Sequence, residues 1–132
     1  PFGPLQDKKI AHFLAKSFME KQLFEVKTPD YIRDFIHVRH LALAYCKMVD
    51  SFFSKTRIEI LDPCEYVGSV LNFANLFYNE FSKRLGYTCK TSPCQMKFEE
   101  PVELTNKTSI TNIIDNYDTN SCWDELIKYY DM

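Results

Sequence analysis

The stretch that follows Pro29 contains neither glycine nor proline up to Ser54, and it constrains the fold more than any other feature of the sequence. Thr28-Pro29-Asp30 is typical of a helix start, with a capping hydroxyl, proline in the first helical position and an acid in the first turn. At about 100° per residue, one broad face collects most of the large apolar side chains: Tyr31, Phe35, Val38, Tyr45, Val49, Phe52 and Phe53, widened by Ile32, Ile36 and Leu43. The pattern therefore predicts a helix over 29–54 at the centre of a bundle.

Other segments carry helix signals of the same kind. Asp62-Pro63-Cys64-Glu65 resembles a capping box, and the helix that it predicts ends at Gly86. Shorter helices are predicted from near Asp7, around 109–116 and from about Ser121. Residues 87–107 contain two prolines and two cysteines and predict a long ordered loop with room for a short extended segment. The prediction is an all-α fold, a compact single-domain bundle of about five helices.

The chain of 132 residues fits one domain, residues 1–132, and is long enough for a core without metal or disulfide. It begins with proline rather than methionine, so we predict a helical domain excised from a larger protein. Its 11 Phe, 8 Tyr and 1 Trp are more rings than a small core readily holds. Some of them are therefore expected at the surface, where such residues favour partner interfaces.

The segment FIHVRHLALAYC, residues 35–46, places two histidines one helical turn apart. On the predicted helix they belong to a narrow polar stripe that faces outward: Asp30, Arg33, His37, His40, Ala44, Lys47 and Ser51. Arg39 lies instead within an apolar sector, so its charge has to reach solvent, pair with a carboxylate or meet a partner. The stripe predicts either a solvated face or a surface for phosphates or an acidic partner.

Metal and catalytic sites find little support in the sequence. His37, His40, Cys89 and Cys94 are the candidate zinc ligands, but no second ligand pair completes a common zinc pattern. Only three glycines are present, which excludes a P-loop and a GxGxxG nucleotide cradle. No nucleophile motif accompanies the histidines and cysteines. The sequence therefore predicts a protein that is not an enzyme and has no cofactor.

The functional prediction is a non-enzymatic protein–protein interaction domain, an adaptor, scaffold or dimerisation module. It would bind a partner helix or peptide, or a second copy of itself, through aromatic and apolar surface. The predicted partner-binding residues are Arg33, His37, Arg39, His40, Lys47, Phe73 and Leu76. A nucleic-acid-binding module that uses the basic stripe of the second helix is one alternative, and a small zinc-binding domain is the other.

Charge and cysteine usage bear on partners and location. The net charge of −2 and the pI of about 5.9 make nucleic acid an unlikely partner. Five cysteines, two of them within helical patterns, indicate a reducing cytoplasmic or nuclear location. The sequon Asn106-Lys107-Thr108 leaves a secreted origin open. The sequence has no apolar run long enough to span a membrane.

Overall fold

The computed structural model describes residues 1–54 and 61–131, and it is a mixed α/β structure. Within those residues there are four α-helices, and seven short strands lie between them in groups of two or three. The predicted all-α bundle is therefore wrong. The helical patterns were assigned too far toward the amino terminus, and the segments in front of two helices form strands instead.

The helices supply most of the regular structure of the described residues. They are α1 (Ile10–Met19), α2 (Val38–Ser51), α3 (Val70–Leu85) and α4 (Thr119–Tyr130), with a 3₁₀ turn at Ile110–Asn112. The end of α3 agrees with the sequence, because Gly86 caps it with a left-handed φ of 74°. None of these helices is long and apolar enough to cross a membrane.

The strands pair in three small sheets. They are β1 (Phe24–Val26), β2 (Ile32–Phe35), β3 (Pro63–Cys64), β4 (Tyr66–Ser69), β5 (Thr91–Pro93), β6 (Glu103–Leu104) and β7 (Thr108–Ser109). One sheet has the order β4-β2-β6, in which β2 and β4 are antiparallel and β2 and β6 parallel. The parallel pairs β1-β5 and β3-β7 form the other two sheets.

The predicted helix over 29–54 is divided into a strand and a shorter helix. Ile32–Phe35 pairs with β4, with Ile32 opposite Ser69 and Phe35 opposite Tyr66. The helix begins only at Val38, where the side chain of His37 caps it. A helical pattern and a buried strand are hard to distinguish over so few apolar residues. Here the pairing with β4 stabilises residues 32–35 as a strand.

The predicted helix from Asp62 to Gly86 also begins later. Residues 63–64 and 66–69 are strands, and α3 begins at Val70 with Ser69 as its N-cap, accepting a hydrogen bond from the Asn72 amide. Asp62 instead binds the loop that leads to β7, accepting from the hydroxyl of Thr108. The Asp-Pro signal thus precedes a strand rather than a helix.

The main core lies between α1, α3 and α4 and is built from aromatic rings. Its fully buried members include Phe2, Phe18, Phe77 and Phe81, and Trp123 is nearly as well buried. Phe35 of β2 stacks on Phe73 of α3 at a centroid distance of 3.7 Å, joining the sheet to the helices. Other rings lie at the surface, as the composition predicts; Phe13, Tyr45 and Phe53 are examples.

Helix α2 packs on a smaller second cluster of Ile36, Ala44, Ile110 and Ile114. The side chains that the sequence analysis assigned to its buried face point elsewhere. Tyr45, Val49 and Phe53 are 57%, 54% and 89% exposed. The predicted core of the second helix is therefore wrong, because the strand at 32–35 shifts the helix onto a different face.

Candidate functional site

His37 and His40 lie inside the protein rather than on an exposed stripe, with 0% and 1% of their surfaces accessible. Both contact the carboxylate of Glu65, which precedes β4. The His37 main-chain N–H donates to Glu65 Oε2 at 2.9 Å, and His40 Nδ1 lies 3.1 Å from Oε1. Tyr117 donates its hydroxyl to the same Oε1 at 3.3 Å. One carboxylate thus joins the amino terminus of α2 to β4 and to the segment before α4.

A cysteine completes this arrangement, with Cys122 Sγ of α4 3.5 Å from His40 Nε2. The row Cys122–His40–Glu65 has the order of a nucleophile, a base and an orienting acid. However, burial and the charge of Glu65 raise the pKa of the Cys122 thiol to about 12, and the side chain is 3% exposed. Such a thiol is neither ionised nor reachable, so the row is structural.

His37 is tightly enclosed on its other side. Its Nδ1 accepts a hydrogen bond from the Arg39 amide, which closes the first turn of α2. Its Nε2 has no hydrogen-bond partner among the described residues. Gly3 approaches this ring with φ at 151°, and a Cβ there would lie 2.3 Å from Val38 Cγ2. Only glycine fits at this position.

Burial, together with the nearby His40 and Arg39, lowers the pKa of His37 to about 4. Between pH 4 and the ordinary value of 6.5, the unfolded chain therefore binds a proton that the folded chain does not. We expect the free energy of unfolding to fall as the pH drops from 6.5 to 4, by roughly 2–3 kcal/mol.

Urea unfolding at successive pH values measures this loss. His37→Asn keeps a capping side chain without a titrating ring, and should flatten the pH dependence over that interval. A wild-type curve with no slope between pH 6.5 and 4 would contradict the role given to His37.

The basic stripe predicted from the helical wheel does not form. Arg33 lies on β2, where it donates to the carbonyls of Pro101 and Val102 and pairs with Glu100 at 3.3 Å. Arg39 faces α4 and pairs with Glu125 at 2.7 Å. Lys47 pairs with Asp115 at 2.5 Å. Each predicted cation thus has an intramolecular carboxylate, and whether any of them meets a partner stays a prediction.

The other predicted site residues are also dispersed. Phe73 is 3% exposed and belongs to the main core, and Leu76 is half-buried against that core. Cys89 and Cys94 are free thiols near β5, and the Cys89 thiol donates to the Phe18 carbonyl. Among the described residues no group of three or more His, Cys, Asp or Glu could hold a metal ion.

A cavity of about 480 Å³ lies between α1, β1 and the start of α3, and the sequence analysis missed it. Its walls are mainly apolar, with the rings of Phe13 and Phe24 and the side chains of Ile10, Val26 and Val70. Lys27, Thr28 and Glu25 add the polar groups. An apolar cavity with a few polar groups is the usual form of a small-molecule site. We call it the α1–β1 cavity.

The main chain of β1 adds a second feature. The Phe24 N–H donates to the Lys90 carbonyl, and the Val26 carbonyl accepts from the Cys94 N–H. The main-chain groups of Phe24 and Val26 thus point toward β5. Because bonding directions alternate along a strand, the N–H and C=O of Glu25 point away from β5. Glu25 is one of the residues that line the α1–β1 cavity. The short FEV segment gives no sign of this in sequence.

Comparison with known proteins gives likeness in structure only. No protein-family model matches the chain, and no curated protein matches it in sequence. UDP-glucuronic acid 4-epimerase from Bacillus cereus, solved with UDP-glucuronic acid and NAD, matches with a TM-score of 0.68 at 14% identity, covering 98% of this chain. UDP-N-acetylglucosamine 4-epimerase from Methanobrevibacter ruminantium M1, solved with UDP-N-acetylmuramic acid, matches with a TM-score of 0.67 at 16% identity. This match also covers 98% of this chain.

This chain has the fold of part of these epimerases. It spans less than half of their length, 42% of the first and 43% of the second. The prediction of a helical adaptor or scaffold that is not an enzyme is therefore wrong, because the structures that share this fold are UDP-sugar epimerases. Among the described residues, neither the basic stripe behind the nucleic-acid alternative nor the ligand set behind the zinc alternative is assembled.

The described residues do not fit NAD, which the first of these structures contains. A dinucleotide cradle needs several glycines where the backbone meets the pyrophosphate. Gly3 packs against Val38, Gly86 caps α3, and a Cβ on Gly68 would meet nothing within 4 Å. No glycine in the chain is therefore placed in such a cradle.

Proposed function

We propose that this chain is the nucleotide-sugar-binding part of an epimerase-like enzyme, and that the α1–β1 cavity takes the base of a uridine diphosphate sugar. The fold likeness supports the class of enzyme. The absence of a glycine cradle supports the assignment of this chain to the nucleotide sugar. A chain that cannot hold the dinucleotide would bind the substrate instead.

The observation that carries this proposal is the combination of rings and main-chain edge in the α1–β1 cavity. Phe13 and Phe24 offer flat apolar surfaces, on which a pyrimidine stacks. The uracil edge has an N–H between two carbonyl groups, and it complements the N–H and C=O of Glu25. Lys27, at the same cavity, supplies a positive charge for the diphosphate.

In this role the chain's own residues bind and orient rather than carry out the chemistry. The cavity walls would exclude water from the base. Glu25 would fix the orientation of the base and therefore the direction in which the diphosphate extends from the cavity. The sugar would then be presented to the part of the enzyme that holds the dinucleotide. The hydride chemistry of epimerisation would belong to that cofactor.

We expect Phe13→Ala to weaken UDP binding about 5- to 150-fold, since loss of one stacked ring costs about 1–3 kcal/mol. Isothermal titration calorimetry with UDP measures the change. Phe98→Ala is the matched control, because Phe98 is 47% exposed against 48% for Phe13 and does not line the cavity. Equal UDP affinities for the two variants would count against the cavity as the base site.

We also propose that the chain belongs to a larger protein and that it is located in a reducing compartment. The chain is part of a larger protein, as its short coverage of the epimerases supports. Its location is a reducing compartment of the cell, supported by the free thiols of Cys64 and Cys122 within the folded protein.

A further inference from the structure

Tyr31 lies in the connection between β1 and β2, and its main chain joins two residues of the α1–β1 cavity. Its N–H donates to the Thr28 carbonyl at 3.2 Å, and its carbonyl accepts from the Val70 N–H at 2.9 Å. Thr28 and Val70 both line the cavity. The backbone of Tyr31 therefore connects a polar residue of the cavity wall to the first residue of α3.

The side chain of Tyr31 holds the connection between β5 and β6, residues 94–102, which we call the strap. The Tyr31 hydroxyl donates to the Phe98 carbonyl at 3.3 Å and accepts from the Phe98 N–H at 3.2 Å. Both bonds involve the main chain of Phe98, so they do not depend on its side chain. The Tyr31 ring is half-buried against the main core, which gives the hydroxyl a fixed support.

The strap also bonds to the residues that lie between β1 and Tyr31. The Met96 N–H donates to the Lys27 carbonyl at 2.8 Å, and the Gln95 side-chain amide donates to the Asp30 carboxylate. Lys27 itself lines the α1–β1 cavity. The strap therefore runs beside the residue to which the proposed function gives the diphosphate.

We propose that Tyr31 is a positioning residue for the nucleotide diphosphate. Its hydroxyl holds the strap, and the strap holds Lys27 and Thr28 in the cavity wall where they meet the diphosphate. This inference rests on the proposed function for the identity of the ligand. It adds a residue that lies outside the cavity wall and acts on the ligand only through other residues.

The two ends of the ligand differ in their dependence on the strap. The rings that would stack on the base belong to Phe13 on α1 and Phe24 at the start of β1. The Phe24 N–H donates to the Lys90 carbonyl, which precedes the strap in the chain. Loss of the Tyr31 hydroxyl should therefore weaken the hold on the diphosphate and leave the hold on the base.

The test compares UDP with uridine as ligands of the Tyr31→Phe variant, which loses the hydroxyl and keeps the ring. Chemical-shift titrations of the ¹⁵N-labelled protein measure both affinities. The affinity for UDP should fall about three- to tenfold, the loss expected for a net hydrogen bond. The affinity for uridine should stay within about twofold. A residue with a merely structural role would lower both affinities by the same factor.

Tyr87→Phe is the matched control. Like Tyr31, Tyr87 is half-buried against the main core and carries a cation over its ring, Lys21 at 5.0 Å where Tyr31 has Arg33 at 5.1 Å. Its hydroxyl donates to the sulfur of Met19 and does not bond to the strap. This variant should keep both affinities within about twofold of the wild type.

Amide hydrogen exchange without ligand tests the strap itself. The Met96 N–H and its acceptor on Lys27 are untouched by Tyr31→Phe, so faster exchange at Met96, by about threefold or more, would report a loosened strap. Unchanged exchange at Met96, or equal losses of UDP and uridine affinity, would overturn the inference while the proposed function stands. A wild-type protein that binds neither UDP nor uridine would overturn the proposed function, and with it the ligand that Tyr31 is said to position.

Discussion

Glu65→Ala is expected to destabilise the fold by about 3 kcal/mol or more, which is the usual cost of breaking a buried ion pair or hydrogen-bonded carboxylate. The Glu65 side chain is 1% exposed, and its two oxygens accept from the His37 amide and the Tyr117 hydroxyl and lie against His40. Its removal leaves a buried N–H and an imidazole without their acceptor. Urea unfolding followed by circular dichroism measures the loss.

Glu125→Ala is the control for this variant, because it also removes a carboxylate from a pair with a residue of α2 but from the surface. Its side chain is 47% exposed and its partner Arg39 is 50% exposed. Exposed pairs of this kind contribute about 1 kcal/mol or less. If the two variants lost the same free energy, the buried carboxylate would not hold α2 to β4 as described.

Phe77→Ala is expected to cost about 3–5 kcal/mol, the range for removing a large aromatic side chain from a packed core. Phe77 is fully buried in α3 and contacts three other rings, those of Phe73, Phe81 and Trp123. It stacks on Phe81 at 4.5 Å and meets the edge of Trp123 at 5.4 Å. The cavity left behind would loosen the contact between α3 and α4. The midpoint of thermal or urea unfolding reports the effect.

Phe53→Ala makes the same chemical change at a site that is 89% exposed, so it serves as the control. In the isolated chain it should change the free energy of unfolding by less than about 0.5 kcal/mol. A small effect of Phe77→Ala, comparable with that of Phe53→Ala, would mean that the ring cluster between α3 and α4 is not the core.

The parts of the fold that the sequence predicts are those governed by local signals. Gly86 ends α3 because a left-handed residue after a helix is a matter of backbone sterics alone. Helix α4 begins at Thr119, close to the predicted start at Ser121, because its first turn carries its own capping group, Asp118. In both cases the signal and the structure lie within one turn of the chain.

The strands were missed because their stability comes from distant partners. Ile32–Phe35 reads equally well as a helical face, and its pairing with β4 and β6 involves residues more than 30 positions away. Once β2 is a strand, the helical wheel drawn from Pro29 no longer applies. His37 becomes a cap, and His37 and His40 turn inward to Glu65, whose approach no local pattern indicates.

The candidate site was missed for a related reason. The α1–β1 cavity brings together α1, β1 and the start of α3, three segments separated along the chain. Its most specific feature is the main-chain edge at Glu25, and a side-chain pattern carries no information on backbone groups. What the sequence did provide was an exclusion, since three glycines leave no dinucleotide cradle.

The most direct test of the account follows the main-chain amide of Glu25 in the ¹⁵N-labelled protein during a titration with UDP. The proposal predicts a saturating change in the Glu25 amide resonance, together with changes at Phe13 and Phe24, and a smaller response to ADP. Resonances of Glu25, Phe13 and Phe24 that stay unchanged at millimolar UDP would contradict the assignment of the α1–β1 cavity as a uridine nucleotide site.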